Sequence, residues 1–282
     1  MLNSNNKNSV YIVIPARFAS TRLPGKPLLK IGKHSMIARV IQQAQLFLNR
    51  LSQNNLIKDV HLVVATDHEE ILSEAKKLNA IAVLTDSNLK NGTERVYSAL
   101  KKIHNEKPIS NQDIILNIQG DEPFFSIDDV ENLIIQMLHK SEISMGTLAF
   151  KRKNTQMFFE SSVVKVVCDK NQNALYFSRS PIPYPKELLG ASGNSWLENI
   201  KDIKKEITFL HHVGVYAFRF QTICQFVENL LNSELEFLES LEQLRALEAG
   251  WKIYVSEAQN EPFGIDTPED LEKAQIIAQK LD

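Results

Sequence analysis

The sequence predicts an α/β protein built on a Rossmann-like mixed, mainly parallel sheet flanked by helices. Three observations lead there. Short apolar runs rich in β-branched residues recur at 10–14 (VYIVI), 59–66 (DVHLVVAT), 80–84 (AIAVL) and 113–119 (DIILNIQ). They are nearly continuous rather than alternating, which marks strands buried on both faces. Helix-compatible segments near 35–52, 68–78 and 92–104 lie between them, the rhythm of strand–helix–strand units. A chain of 282 residues with 43% hydrophobic and 23% charged content can also close one large core, or two modest ones, without staples.

The elements follow in order. Residues 1–9 (MLNSNNKNS) offer almost nothing to bury and read as a disordered tail, leaving 10–282 as one domain. Asp67 with Glu70, and Ser126 with Asp129, have capping-box spacing at two helix starts. From about 143 to 220 the alternation stops. EISMGTLAF, SVVKVVCD, NALYFS and HHVGVYAF are strand-like, with a short helical possibility between the first two, and predict a β-rich sub-domain inserted in the scaffold. The stretch 184–207, mixing Pro, Gly, Ser and charge, reads as a long surface loop. Leu235, Leu238, Leu241, Leu244 and Leu247 predict the buried stripe of a helix over 233–249, followed by a strand near 251–256. Thr267 before Pro268 starts a final helix over 267–281.

Composition narrows the function. Lys and Arg total 32 against 34 Asp and Glu, so the net charge of −2 lacks the basic excess of a nucleic-acid or membrane-surface protein. No stretch reaches the roughly 18 apolar residues that span a bilayer, and the polar N-terminus has no signal-peptide core. Cys168 and Cys224 stand far apart with no CxxC spacing, for which a reduced, cytoplasmic setting is the simplest reading, pairing in an oxidising compartment being the alternative. His211 and His212 have no nearby ligand partners for zinc.

Chemistry concentrates after the strands. The loop IPARFASTRLPGKPL (14–28) follows the first strand, where an open parallel sheet has its ligand crevice. It places Arg17, Arg22 and Lys26 beside Ser20, Thr21 and Gly25, a set suited to a polyphosphate. It is neither a Walker loop nor GxGxxG. NIQGDEPF (117–124) puts Asp121 and Glu122 directly off another strand, where carboxylates can take a hard cation such as Mg²⁺ together with substrate phosphates. Asp266 stands before the last helix; alone it reads as a carboxylate at a helix N-terminus, and it gains meaning only if the fold carries it to Asp121. Arg179, between a strand and a Pro-rich turn, is either a plain surface arginine or an anion clamp. His212, Gly214 and Tyr216 share one face of a strand, as ligand wall or as core. Glu242 and Gln243 flank the leucine stripe, where Glu242 would otherwise pair with Arg245. Cys168 reads as core rather than nucleophile.

Taken together, IPARFASTRLPGKPL, ATDHEEI, NGTERV, NIQGDEPF, ALYFSRSPIP, HHVGVYAF, LEQLRAL and GIDTPEDL, in that order over roughly 10–275, resemble the 3-deoxy-manno-octulosonate cytidylyltransferases. The resemblance implies the nucleotide-diphospho-sugar transferase type of fold. It also implies a Mg²⁺-dependent reaction in the cytoplasm, serving lipopolysaccharide synthesis: CTP and the acidic sugar Kdo give CMP-Kdo and pyrophosphate. On the same footing Arg17, Lys26, Asp121 and Asp266 would be catalytic, and Asp121 and Asp266 would hold the metal. Arg17, Lys26, Arg95 and Gln119 would bind the nucleotide; Gln119, Arg179, His212, Tyr216, Glu242 and Gln243 would line the sugar pocket. Arg179 would face the sugar carboxylate, the metal rather than His212 would activate the sugar hydroxyl, and the protein would be a homodimer through its β-rich part. Another acidic sugar, such as 8-amino-Kdo, is the alternative acceptor. Phe263 stands where the family pattern has a small residue.

Overall fold

The computed structural model describes residues 7–19, 23–189, 206–230 and 233–281. In chain order the elements are β1 (Asn8–Ala16), β2 (Lys30–Ile31), β3 (His34–Ser35), α1 (Met36–Leu51), β4 (Ile57–Thr66), α2 (Glu69–Lys77), β5 (Ile81–Leu84) and α3 (Gly92–Glu106). Then come β6 (Ile114–Asn117), α4 (Ile127–His139), β7 (Met145–Lys153), α5 (Thr155–Phe159), β8 (Lys165–Cys168) and β9 (Ala174–Ser178). The last are α6 (Lys186–Leu189), β10 (Thr208–Arg219), α7 (Phe220–Glu228), α8 (Glu234–Glu239), α9 (Gln243–Glu248), β11 (Tyr254–Ala258) and α10 (Pro268–Leu281).

One nine-stranded sheet organises them, in the order β11-β7-β10-β6-β1-β4-β5, with the β8–β9 hairpin hung on β10. β6, β1, β4 and β5 are mutually parallel, β7 and β11 are parallel to each other, and β10 runs antiparallel to β6 and β7. The continuous apolar runs are explained at once. Val10, Ile12 and Ile14 enter one core, while Tyr11 and Val13 enter the core on the opposite face. β4 and β6 split the same way, so an alternating strand would have buried polar groups on one side.

Four expectations change. The tail is shorter than predicted: Asn8 and Ser9 belong to β1, and the Ser9 amide donates to the Asp113 carboxylate at 2.8 Å, while 1–6 lie outside the described residues. The β-rich region is no separate sub-domain, since β7 and β10 are interior strands of the main sheet and only β8 and β9 stand off its path. The helix over 233–249 is two helices, broken at Ser240 in the left-handed region (φ 51°). The break has a tertiary cause: the Glu239 carboxylate is taken by the Ser178 hydroxyl (2.6 Å) and the Arg179 amide (2.9 Å), which stops α8. The leucine stripe splits with it, leaving Leu244 buried and Leu238 68% exposed. Finally, Asp67 does not cap α2; His68 is its N-cap residue, with no side-chain cap, and Asp67 is used elsewhere. Ser126 does cap α4, accepting from the Asp129 amide. Most of the 184–207 loop, at 190–205, lies outside the described residues.

Candidate active site

The chain leaves β1 toward β4 and β5 and returns to pair β6 on the other side of β1, so the sheet reverses order between β1 and β6. Loops at the C-terminal ends of those two strands diverge and leave a crevice. A cavity of about 630 Å³ occupies it, lined by Arg17, Lys26, Lys90, Arg95, Gln119, Asp121 and Asp266 among others. The two loops pass closely: a Cβ on Gly120 would lie 2.9 Å from the Pro15 carbonyl oxygen, so only glycine lets the β6 loop cross β1 here.

Each charged group is aimed by local structure. Gly25 takes φ 64° and opens a single 3-10 turn over Lys26–Leu28. That turn buries the Lys26 side chain and sends its ammonium to Asp121 Oδ2 (2.6 Å) and Asp266 Oδ1 (3.0 Å). The convergence of the two carboxylates, distant in sequence, is held by backbone as well: the Ile265 amide donates to the Asp121 carbonyl at 3.1 Å. Ile265 is fully buried in a cluster with Leu23, Ile31, Met36, Ala274 and Ala278, which docks α10 beside the first loop. Asp266 is not the cap of α10. Thr267 accepts from the Asp270 amide, and the Asp270 carboxylate accepts from the Asp266 and Thr267 amides, so the Asp266 side chain is left to face Lys26. Phe263 packs on Phe124, ring centroids 6.0 Å apart, at the edge of the same cluster.

Two hard carboxylate oxygens on one cationic position, here taken by an ammonium, fit a divalent ion that draws its remaining ligands from phosphate and water. Their field also reaches Glu122, whose carboxyl is pushed up to about 8, first by burial and then by Asp121 and Asp266, against the pull of Lys26. Among the described residues no larger His, Cys, Asp and Glu cluster competes for a metal.

A second cavity of about 260 Å³ adjoins the first, and Gly92, Gln119, Ser240 and Glu242 border both. Its other walls include His212, Gly214, Tyr216 and Gln243. Because β10 runs antiparallel, its N-terminal half reaches the crevice edge, with Tyr216 paired to Asn117 at the end of β6. β10 bulges between Val213 and Tyr216. The Thr147 hydroxyl spans the bulge, donating to the Val215 carbonyl at 2.8 Å. Thr147 Oγ1 also lies 3.2 Å from the Val213 carbonyl and 3.1 Å from His212 Nε2, which holds the imidazole ring against the bulge. The Gln243 amide nitrogen is buried with no hydrogen-bond partner among the described residues, a donor that a polar ligand would satisfy. Burial raises the Glu242 carboxyl, partly offset by a hydrogen bond from Thr93. Arg245 pairs with Glu236 at 2.9 Å instead of Glu242.

Gln119, His212, Tyr216, Glu242 and Gln243 are therefore brought together as expected from the resemblance, and Arg179 is not. Its Nε donates to the Glu239 carbonyl (2.8 Å), and its two terminal nitrogens donate to the Ser161 and Ser240 carbonyls (3.0 and 3.4 Å). Backbone acceptors thus hold the guanidinium behind the cavity lip. Arg95 lines the first cavity, but its guanidinium is engaged by Asp67. Arg22 lies outside the described residues. Sequence reasoning missed Asp67, Lys90, Thr147 and Ser240; Asp67 carried a competing helix-cap signal, and the other three carried none. Cys168 is partly buried, and burial, with Asp169 adding, pushes its thiol up to about 11, unsuited to nucleophilic attack.

Burial also lowers the neighbouring histidines: His212 to about 3, with His211 adding, and His211 to about 4, with Arg152 adding. The unfolded chain therefore binds protons on both near pH 6.5 while the fold does not, so stability is lost as pH falls through that window. The two together account for about 3–4 kcal/mol between pH 7 and pH 5. His211→Asn, which keeps an acceptor toward Arg152 (3.3 Å), is expected to flatten the fall of Tm over that range. Parallel Tm profiles for variant and parent would contradict the burial argument.

Sheet order and crevice match the α/β nucleotidyltransferase fold, and a family model described as Cytidylyltransferase matches residues 11–257, which sets the class. A 3-deoxy-manno-octulosonate cytidylyltransferase of Thermodesulfovibrio yellowstonii is 40% identical over 93% of this chain and 95% of the relative, and one of Haemophilus influenzae (strain PittEE) is 38% identical over 96% and 99%. A solved structure described as CMP:2-keto-3-deoxy-manno-octonic acid synthetase complexed with CTP superposes with a TM-score of 0.79 at 34% identity, covering 98% of this chain and all of that one. A 4-diphosphocytidyl-2C-methyl-D-erythritol synthase shares the fold, at a TM-score of 0.58 and 12% identity over 97% and 100%. The chain belongs to the 3-deoxy-manno-octulosonate cytidylyltransferase family.

Proposed function

We propose that this chain transfers the cytidylyl group of CTP to the anomeric 2-hydroxyl of Kdo, forming CMP-Kdo and pyrophosphate with Mg²⁺. The observation that carries the reading is the pair of adjoining cavities, one walled by Arg17, Lys26 and the two aspartates, the other by uncharged hydrogen-bonding groups and Glu242. The first suits a triphosphate and the second a polyhydroxylated acceptor. Gln119, on the shared wall, stands where donor and acceptor meet.

The sugar oxygen attacks the α-phosphorus as its proton passes to solvent, the bond to the bridging oxygen of the β-phosphate breaks, and pyrophosphate departs with that electron pair. Arg17 and Lys26 neutralise the departing charge. Asp121 and Asp266 would hold the divalent ion. When bound, that ion supplies charge neutralisation at the triphosphate and Lewis acidity that eases loss of the hydroxyl proton. The sugar carboxylate is bonded to the anomeric carbon that bears the attacking oxygen, so it stays at the cationic end of the site. That placement suits a second cavity whose described lining has no Lys or Arg. His212, kept neutral and weakly basic, orients a sugar hydroxyl. His212→Ala is accordingly expected to raise the KM for Kdo about tenfold while the single-turnover rate at saturating sugar holds; collapse of that rate would make His212 the base.

On this reading the enzyme works in the cytoplasm and serves lipopolysaccharide synthesis. No described helix is long and apolar enough to cross a membrane. A homodimer through the β8–β9 region accords with Leu175, 62% exposed on β9. The deciding experiment is pyrophosphate release with CTP or UTP crossed against Kdo, 8-amino-Kdo and N-acetylneuraminate. Release with CTP and Kdo is expected. Release only with another sugar overturns the acceptor, and none with any acceptor overturns the enzyme reading.

A further inference from the structure

The loops after β1, β4 and β5 meet beneath the first cavity at one buried ion pair. Asp67, the first residue beyond β4, accepts from the Phe18 amide through Oδ1 (2.9 Å) and from Arg95 through Oδ2 (2.9 Å). Arg95 turns its other terminal nitrogen to Thr85 Oγ1 (2.6 Å) and the Asp86 carbonyl (3.2 Å), just past β5. The two side chains are only 9% and 3% exposed. Phe18 has a second anchor, its ring stacked on His68 at 3.9 Å and 10°. Arg17 precedes Phe18 and has no such anchors among the described residues; it is exposed on the cavity wall.

We propose that Asp67 is a positioning residue for nucleotide binding. Through the Phe18 amide it fixes the backbone that carries Arg17, and through Arg95 it fixes the loop after β5, which forms the facing wall with Leu89, Lys90 and Asn91. The wall is then set before the triphosphate arrives, and binding loses less freedom. This assigns Arg95 to holding two loops together, where family resemblance made it a nucleotide ligand. The proposal rests on the reading that the cavity takes CTP.

Asp67→Asn keeps an oxygen for the Phe18 amide and removes the charge opposite Arg95. CTP binding by calorimetry without sugar is expected to weaken tenfold or more. The KM for Kdo should stay within threefold, and Asp67→Glu should recover part of the loss. Arg95→Met added to Asp67→Asn should cost less than a further threefold, because both break one linkage. Unchanged CTP affinity beside a lowered Tm would reduce the pair to a structural role and overturn the proposal. Fully multiplying losses would do the same, by making Arg95 a ligand in its own right. If the parent protein bound no CTP, the functional reading would fail first. Hydrogen exchange over 15–19 would then judge the linkage alone: faster exchange in Asp67→Asn supports it, and unchanged exchange overturns it.

Discussion

Asp121→Asn is expected to lower kcat by roughly 10³-fold while leaving the fold intact, the scale of losing several kcal/mol of charge stabilisation at a phosphoryl centre. The change is nearly isosteric, and Lys26 keeps its bond to Asp266, so circular dichroism and Tm should barely move. Asp266→Asn should act alike. The double variant should be little worse than the poorer single, because groups that hold one ion act as a unit. Steady-state pyrophosphate release decides the matter: more than a tenth of the parent rate in either variant would remove the aspartates from the reaction.

Lys26→Met reaches the same centre from the cationic side. A loss of roughly 10²–10³ in kcat is expected, as for removal of one preorganised charge aimed at the transition state. Stability carries the sharper signal. Without Lys26 two carboxylates face each other beside half-buried Glu122. Asp121 and Asp266 are 37% and 56% exposed, so the cost in metal-free buffer is about 1–2 kcal/mol, below that of a fully buried pair. Mg²⁺ should restore the Tm of this variant and shift it more than it shifts the parent's, since the ammonium no longer competes for the oxygens. Equal shifts would mean that the two carboxylates do not form an ion site.

The parts legible in the sequence are those governed by local burial. β1, β4 and β6 fall where continuous apolar runs lie, because a strand covered on both faces has no other pattern open to it, whereas the run at β5, which the sequence read as buried on both faces, belongs to an edge strand with Ile81 and Leu84 exposed. His212, Gly214 and Tyr216 reach one cavity because alternation survives the bulge at Gly214. What periodicity does not carry is which strand neighbours which, so β7 and β10 read as an insertion although they are interior strands. The same gap hid three side chains whose roles are tertiary. Asp67 looked like a helix cap until Arg95 and Phe18 arrived to claim it. Arg179 had the chemistry of an anion clamp, but backbone carbonyls from two other segments surround it. Glu239 broke a helix that its own leucine spacing supports, because Ser178 and Arg179 offered it a better partner. The meeting of Asp121 and Asp266 was visible only through resemblance to a family, for no local rule reaches across such a separation.

The docking of α10 has a consequence for how this catalyst comes into being. Lys26 leaves the ribosome 240 residues ahead of Asp266, and the β6 carboxylate also emerges long before its counterpart. Most of the sheet can assemble during translation while the reactive centre still lacks one wall. The paired carboxylates thus meet only once α10 has docked beside the first loop, so the charge arrangement of the crevice is a product of tertiary closure and not of any local segment.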